Sequence, residues 1–291
     1  MRLRLPLAAM TAVAAVLALA SPASAIRYGE PDDGEHPYVG MMIAYTSQDL
    51  PDDDVDGPVL VRSWRCTGTM LDVDTFLTAG HCTDGAAAVA IWFDEDLRAL
   101  TADDYFLFED AMKSADAHST AVLTHPDYDA GAFYLHDVGV VDALTVAQDL
   151  ALDGYGELPE EGYWDDQLAL RRQQRDSLTT VGYGLQRNLP TVGGAAALIE
   201  ADWVRLQAHS ELIGDRQFGA APAGGAYVVL GANANTGGAC VADSGGPTLV
   251  EGTSTVVAVV SFSVNDPCGG TSAAYRIDTA DDLAWLAGFV G

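Results

Sequence analysis

Three short segments constrain this chain more than anything else in it: Leu77-Thr78-Ala79-Gly80-His81-Cys82, His136-Asp137-Val138-Gly139-Val140 and Cys240-Val241-Ala242-Asp243-Ser244-Gly245-Gly246-Pro247. They supply an imidazole, a carboxylate and a hydroxyl in that order. A serine hydroxyl is a weak nucleophile at neutral pH and needs a base to take its proton as it attacks. Imidazole suits that exchange, and a carboxylate on the other ring nitrogen fixes the tautomer and stabilises the imidazolium that forms. The glycines after Ser244 let the backbone turn tightly and bring amide groups close to a bound carbonyl. Because His81 and Asp137 lie in the first half of the chain and Ser244 in the second, a fold that uses all three must bring the halves together.

The start of the chain reads as a secretory signal peptide over residues 1–25. Arg2 and Arg4 precede an apolar run from Leu5 to Ala20, which ends in Ser21-Pro22-Ala23-Ser24-Ala25, an A-x-A cleavage pattern. The run is shorter than the roughly 20 residues a bilayer-crossing helix needs. Cleavage leaves residues 26–291 and, with Arg2 and Arg4 gone, moves the net charge from −28 to −30. Acidic residues cluster at Asp32-Asp33-Glu35, Asp49 to Asp56, Asp94-Glu95-Asp96 and Asp103-Asp104, and the only lysine is Lys113. Such a surface repels phosphate backbones and excludes nucleic acid as an expected partner. Solubility outside the cell accounts for this charge; adaptation to salt, or Ca²⁺ ligation by an acidic loop between Asp94 and Asp110, are sharper readings.

Short apolar or alternating runs, at Tyr38 to Tyr45, Val59 to Trp64, Ala88 to Phe93, Val138 to Val141, Leu178 to Val181, Ala226 to Leu230 and Val256 to Val264, are separated by Gly, Pro, Asp and Asn. This is an all-β pattern with turn punctuation. A helix is expected only at the C-terminus, where Asp278 or Thr279 can cap and Leu283, Leu286 and Phe289 recur at helical spacing with Trp285. Four cysteines in a secreted chain suggest disulfides with three pairings open. Zinc is disfavoured, since there is no C-x-x-C and no clustered histidine to complete a site.

The three segments, in the chain order His…Asp…Ser, together with the cysteine spacing, resemble the chymotrypsin/trypsin family of serine proteases. The resemblance implies two six-stranded antiparallel β-barrels with an active site in the cleft between them and a C-terminal helix. The barrels would cover about residues 26–150 and 176–291, with 151–175 crossing over. It implies the pairing Cys66 with Cys82 and Cys240 with Cys268, which would staple the histidine loop and the nucleophile loop. His81 is then the general base, Asp137 its orienting carboxylate, Ser244 the nucleophile, and Ser261 a serine that supports the carboxylate from behind. The amides of Ala242 and Ser244 would form the oxyanion hole. The family usually has glycine where this chain has Ala242, and a Cβ there costs about 1 kcal/mol or more.

Asp243 resembles the aspartate that pairs with a freed N-terminal amine, here that of Ile26, which directly follows the expected signal cleavage site. Arg27 and Tyr28 depart from the family's usual residues after that isoleucine. The specificity pocket is expected at Gly238, Ser263 and Ala273, which carry no carboxylate and so favour apolar or aromatic side chains over Arg or Lys. His125, before Pro126, resembles a structural turn of the family, and His36, His118, His136 and His209 read as surface residues. The expectation is therefore a secreted, monomeric serine endopeptidase acting on peptides or proteins, with no cofactor, no metal apart from the Ca²⁺ candidate and no membrane attachment after signal removal. A protease-like binding protein of little activity, or an esterase using the same triad, are the alternatives.

Overall fold

The computed structural model describes residues 26–50, 57–188, 199–200, 202–215, 225–263, 268 and 270–291; the expected signal peptide lies outside them. Two antiparallel sheets dominate. In the first, the strands run in the spatial order Ala121–Thr124, Gly139–Asp142, Phe76–Thr78, Val59–Met70, Val39–Gln48, Ala88–Trp92, Ala117–Ser119, with the short strand Thr145–Val146 paired outside the last. The segments 117–119 and 121–124, on opposite sides of that order, are halves of one run broken at Thr120, so the sheet closes on itself as a six-stranded barrel. The second sheet repeats the device: Leu206–Ser210 and Leu212–Gly214 are one run broken at Glu211. They close around Leu178–Gly182, Pro247–Val250, Val256–Ser263, Gly270–Arg276 and Tyr227–Ala232. A bend or bulge of this kind lets one strand pair on both sides of a closure, which removes exposed sheet edges.

The strand Val39–Gln48 shows why the first barrel reads in sequence as an apolar run rather than as clean alternation. Val39, Met42 and Ala44 face the interior with Phe76, Leu77, Val89, Ile91 and Val140. On the other face, Met41, Ile43 and Tyr45 are covered by Trp92, Leu97, Phe108 and Ala111. That cover is the helix Phe108–Ser114, preceded by the turn Ala102–Tyr105, inside a stretch that carries no strong sequence signal. Another helix, Tyr163–Ala169, lies in the crossover and buries Trp164, whose Nε1 donates to Val257 O at 2.7 Å. The expected C-terminal helix runs from Ala280 to Leu286, with Thr279 Oγ1 accepting from Asp282 N.

The chain ends cross over. Glu30–Pro31 pair with Gln207 and Leu206 of the second sheet, although they precede every strand of the first. Conversely Leu286, Trp285 and Phe289 pack into the core of the first barrel, and Thr75 Oγ1 donates to Phe289 O. His36, read as a surface residue, is buried. Its Nδ1 lies 2.6 Å from Asp32 Oδ1, and Arg205 Nε donates to Asp32 Oδ2 at 2.8 Å, tying the N-terminal segment to the second barrel. An isolated histidine in a loop gives no sign that its partners will be buried with it, which is why composition misplaced it. His209 and His118 are exposed and half-buried respectively.

Candidate active site

The histidine loop is held from two sides. Phe76–Thr78 ends at Ala79, a single helical turn Gly80–Thr83 follows, and the disulfide Cys66–Cys82 anchors that turn to the neighbouring strand. Opposite it, His136 has φ +51° and its carbonyl accepts from Val138 N at 2.8 Å, a tight turn that aims Asp137 inward. Asp137 is fully buried. Its Oδ1 accepts from His81 N at 2.8 Å, and its Oδ2 accepts from His81 Nδ1 at 2.9 Å and from Ser261 Oγ at 2.5 Å. A buried carboxylate is tolerable only when its lone pairs are occupied in this way. The same bonds fix the imidazole, whose side chain is 29% exposed, with Nε2 left over.

Ser244 is carried by a loop pinned to both barrels. Its carbonyl accepts from Thr67 N at 2.8 Å, Thr67 Oγ1 donates to Ala242 O at 3.0 Å, and Gly245 N donates to Val260 O at 2.7 Å. Gly245 has φ +78°, and a Cβ on it would collide with Thr78 Oγ1 and come within 2.7 Å of Ala79 N. Only glycine permits this approach of the serine loop to the histidine loop. The disulfide Cys240–Cys268 ties the start of the loop to the second barrel. Among the described residues no hydrogen bond joins His81 to Ser244 Oγ.

Within the loop, Asp243 N donates to Cys240 O, Gly245 N to Val260 O and Gly246 N to Asp243 O, whereas the amides of Ala242 and Ser244 donate to no partner among the described residues. Leu185 N donates to Val241 O at 2.8 Å. A trans peptide sets C=O and N–H on opposite sides, so this bond turns the Ala242 N–H away from Leu185. Ala242 adopts φ +71°, the left-handed conformation in which glycine is the cheaper residue.

Asp243 is fully buried, with its carboxylate accepting from Gly184 N at 2.7 Å and Cys240 N at 2.8 Å. Burial pushes its pKa up from 3.8 to about 7, only partly offset by those two amides and the more distant Arg65. Ile26 is also fully buried, against Leu206 and Ala208. Leu206 pairs with Gly182, whose Cα faces the Asp243 carboxylate so closely that a Cβ would lie 3.0 Å from Asp243 Cγ. Ile26 and Asp243 thus lie one strand apart, without a bond between them. Gly238 is buried, its N donating to Arg27 O at 3.1 Å; Ala273 is buried and Ser263 exposed. The acidic stretch from Asp94 spends its carboxylates locally: Asp96 on Arg98, Asp104 on Thr101, Asp110 on Lys113.

A carboxylate-held imidazole on a two-barrel scaffold is the setting in which the comparisons with known proteins are to be read. The trypsin family's model matches residues 33–285. The chain belongs to the trypsin family. Among solved structures, an HL collagenase has the same fold, with a TM-score of 0.61 and 18% sequence identity over 91% of this chain and 97% of that one. No curated protein matches the sequence. Membership of the trypsin family makes peptides or proteins the expected substrates and two barrels the expected frame. Two positioning residues of this trypsin-family site, Thr67 and Leu185, were not singled out from sequence. The run Cys66-Thr67-Gly68 beside a stapled loop was the one signal available for the first.

Proposed function

We propose that this chain is a secreted serine endopeptidase. Ser244 Oγ attacks the scissile carbonyl carbon while His81 Nε2 takes its proton, and Asp137 holds Nδ1 and balances the imidazolium charge. The oxyanion that develops accepts from the amides of Ala242 and Ser244. Collapse breaks the C–N bond, His81 returns its proton to the departing amine, and a water activated by the same imidazole then hydrolyses the acyl-enzyme. The observation that carries this reading is the buried Asp137 carboxylate shared by His81 Nδ1 and Ser261 Oγ. The bond from Ser244 Oγ to His81 Nε2 is then one that forms when substrate enters.

The Ile26 amine, freed by cleavage after Ala25, is the proposed partner of the buried Asp243, and Gly238, Ser263 and Ala273 the walls of an apolar-selective pocket. Phe-containing peptides are then cleaved faster than Arg-containing ones. The second reading, a protease-like binding protein of low activity, draws on the left-handed Ala242. A fluorophosphonate probe, which reacts only with a serine activated by its base and oxyanion hole, separates the two. Labelling of wild type but not of Ser244→Ala supports the peptidase; a folded wild-type protein that is not labelled overturns it in favour of the binding protein.

A further inference from the structure

The chain has 42 acidic residues against 14 Lys and Arg, so a cation without a carboxylate partner is unexpected. Arg98, Lys113, Arg172, Arg205 and Arg276 each pair with an Asp or Glu. Among the described residues Arg62 and Arg65 do not, nor do Arg171 and Arg175, the last of which donates to the carbonyls of Leu212 and Leu168; what sets Arg62 and Arg65 apart is that each guanidinium lies over an aromatic ring, Arg62 on Tyr105 and Arg65 on Trp203, both at 5.1 Å. Cation–π contacts steady such groups without neutralising them. Burial depresses the Arg65 pKa, and the buried Asp243 carboxylate, which makes no hydrogen bond to it, offsets this only in part.

Both arginines line one open cavity of about 740 Å³ with Ser63, Trp64, Leu185 and Trp203. That cavity abuts the nucleophile loop. Leu185 donates its N–H to Val241 O, and Arg65 lies two residues before Thr67, on the same face of the strand as the Oγ1 that holds Ala242 O. Trp64, between them, donates Nε1 to Cys82 O beside the histidine loop. Gly238, where the side chain preceding the scissile bond is expected, belongs to the segment that enters the loop from the other side, before Cys240.

We infer that the Arg62–Arg65 cavity binds an acidic side chain, Asp or Glu, of the substrate on the leaving-group side of the scissile bond. Two unpaired guanidiniums offer planar forked donors that a carboxylate fits better than any neutral group. In a strongly anionic protein they form a local positive site that an acidic segment would otherwise lack. This selectivity rests on the peptidase reading of Ser244, and its test keeps the two apart.

Peptides identical except for Glu, Gln or Lys at the first two positions after the cleaved bond are compared by kcat/KM. Glu should exceed Gln by about tenfold and Lys by more, with the ratio shrinking at high salt. In Arg65→Gln, and independently in the surface variant Arg62→Gln, the Glu/Gln ratio should fall toward one; in Arg62→Gln, whose charge does not act on Asp243, fluorophosphonate labelling continues at the wild-type rate, since the probe does not extend into the cavity. Fluorescence anisotropy of the Glu peptide on Ser244→Ala reads the cavity without catalysis and should show the same loss in both arginine variants. A Glu/Gln ratio near one in wild type, or one unchanged in both variants, overturns the inference. Absent labelling with retained Glu-peptide binding would instead sink the peptidase reading and leave the anion site standing.

Discussion

Asp243 makes a testable sign reversal. In a chain that extends N-terminal to Ile26, its carboxylate is buried with two amide donors and no paired cation, and its pKa stands near 7 rather than 3.8. Between those values the folded protein holds a proton that the unfolded chain has released. Stability therefore falls as pH rises through that window, by about 1.4 kcal/mol per pH unit, or about 4 kcal/mol over three units. A free Ile26 ammonium brought to the carboxylate inverts this. The pair favours the ionised form, and the carboxylate's contribution becomes one that is present above pH 4 and lost on acidification. Urea unfolding at pH 4.5, 5.5, 6.5 and 7.5 would compare protein carrying two extra residues before Ile26 with protein beginning at Ile26, each alongside its Asp243→Asn variant. The extended protein should lose stability toward pH 7.5 relative to its Asn variant, whereas the Ile26-starting protein should keep a constant advantage over its Asn variant across this range, because its carboxylate is ionised in both states above pH 4.5. Parallel profiles for extended wild type and extended Asp243→Asn would refute the argument, because a carboxylate with an ordinary pKa gives no such difference.

Two further outcomes follow from the site geometry. Ser261→Ala removes one of three hydrogen bonds to the buried Asp137, a loss of about 1.5–3 kcal/mol for a bond to a charged group, and kcat/KM should fall about 10- to 100-fold with little change in KM; steady-state kinetics on one peptide decides it, and an unchanged kcat denies Ser261 a positioning role. Ala242→Gly relieves a left-handed alanine worth about 1–2 kcal/mol, so fluorophosphonate labelling should quicken several-fold; slower labelling would mean that the methyl group helps to hold the loop.

The two barrels were legible because strands such as Leu178–Gly182 and Val256–Ser263 carry β-branched runs between turn residues, and period and composition agree there. His81, Asp137 and Ser261 were legible from short strings around them, and they meet. The helices Phe108–Ser114 and Tyr163–Ala169 were not, since seven residues give barely two turns in which a 3.6-residue period can register. The Asp32–His36–Arg205 cluster was hidden for a different reason. Each member alone looks like a surface residue, and only their pairing across the fold makes burial affordable. The cavity of Arg62 and Arg65 likewise depends on which cations lack partners, a property of the folded arrangement and not of any string.

The crossing of the chain ends sets how this molecule comes apart. Glu30–Pro31 are lodged in the second sheet and Trp285 and Phe289 in the first, so neither barrel contains all of its own packing. Halves of this size, sharing so few connecting residues, would otherwise be free to unfold one at a time. With each terminus clasping the opposite half, separating the barrels uncovers apolar surface in both, which favours unfolding of the two halves together. Latching at the ends thereby couples the two halves, so that piecemeal opening at the seam between them must also release the termini.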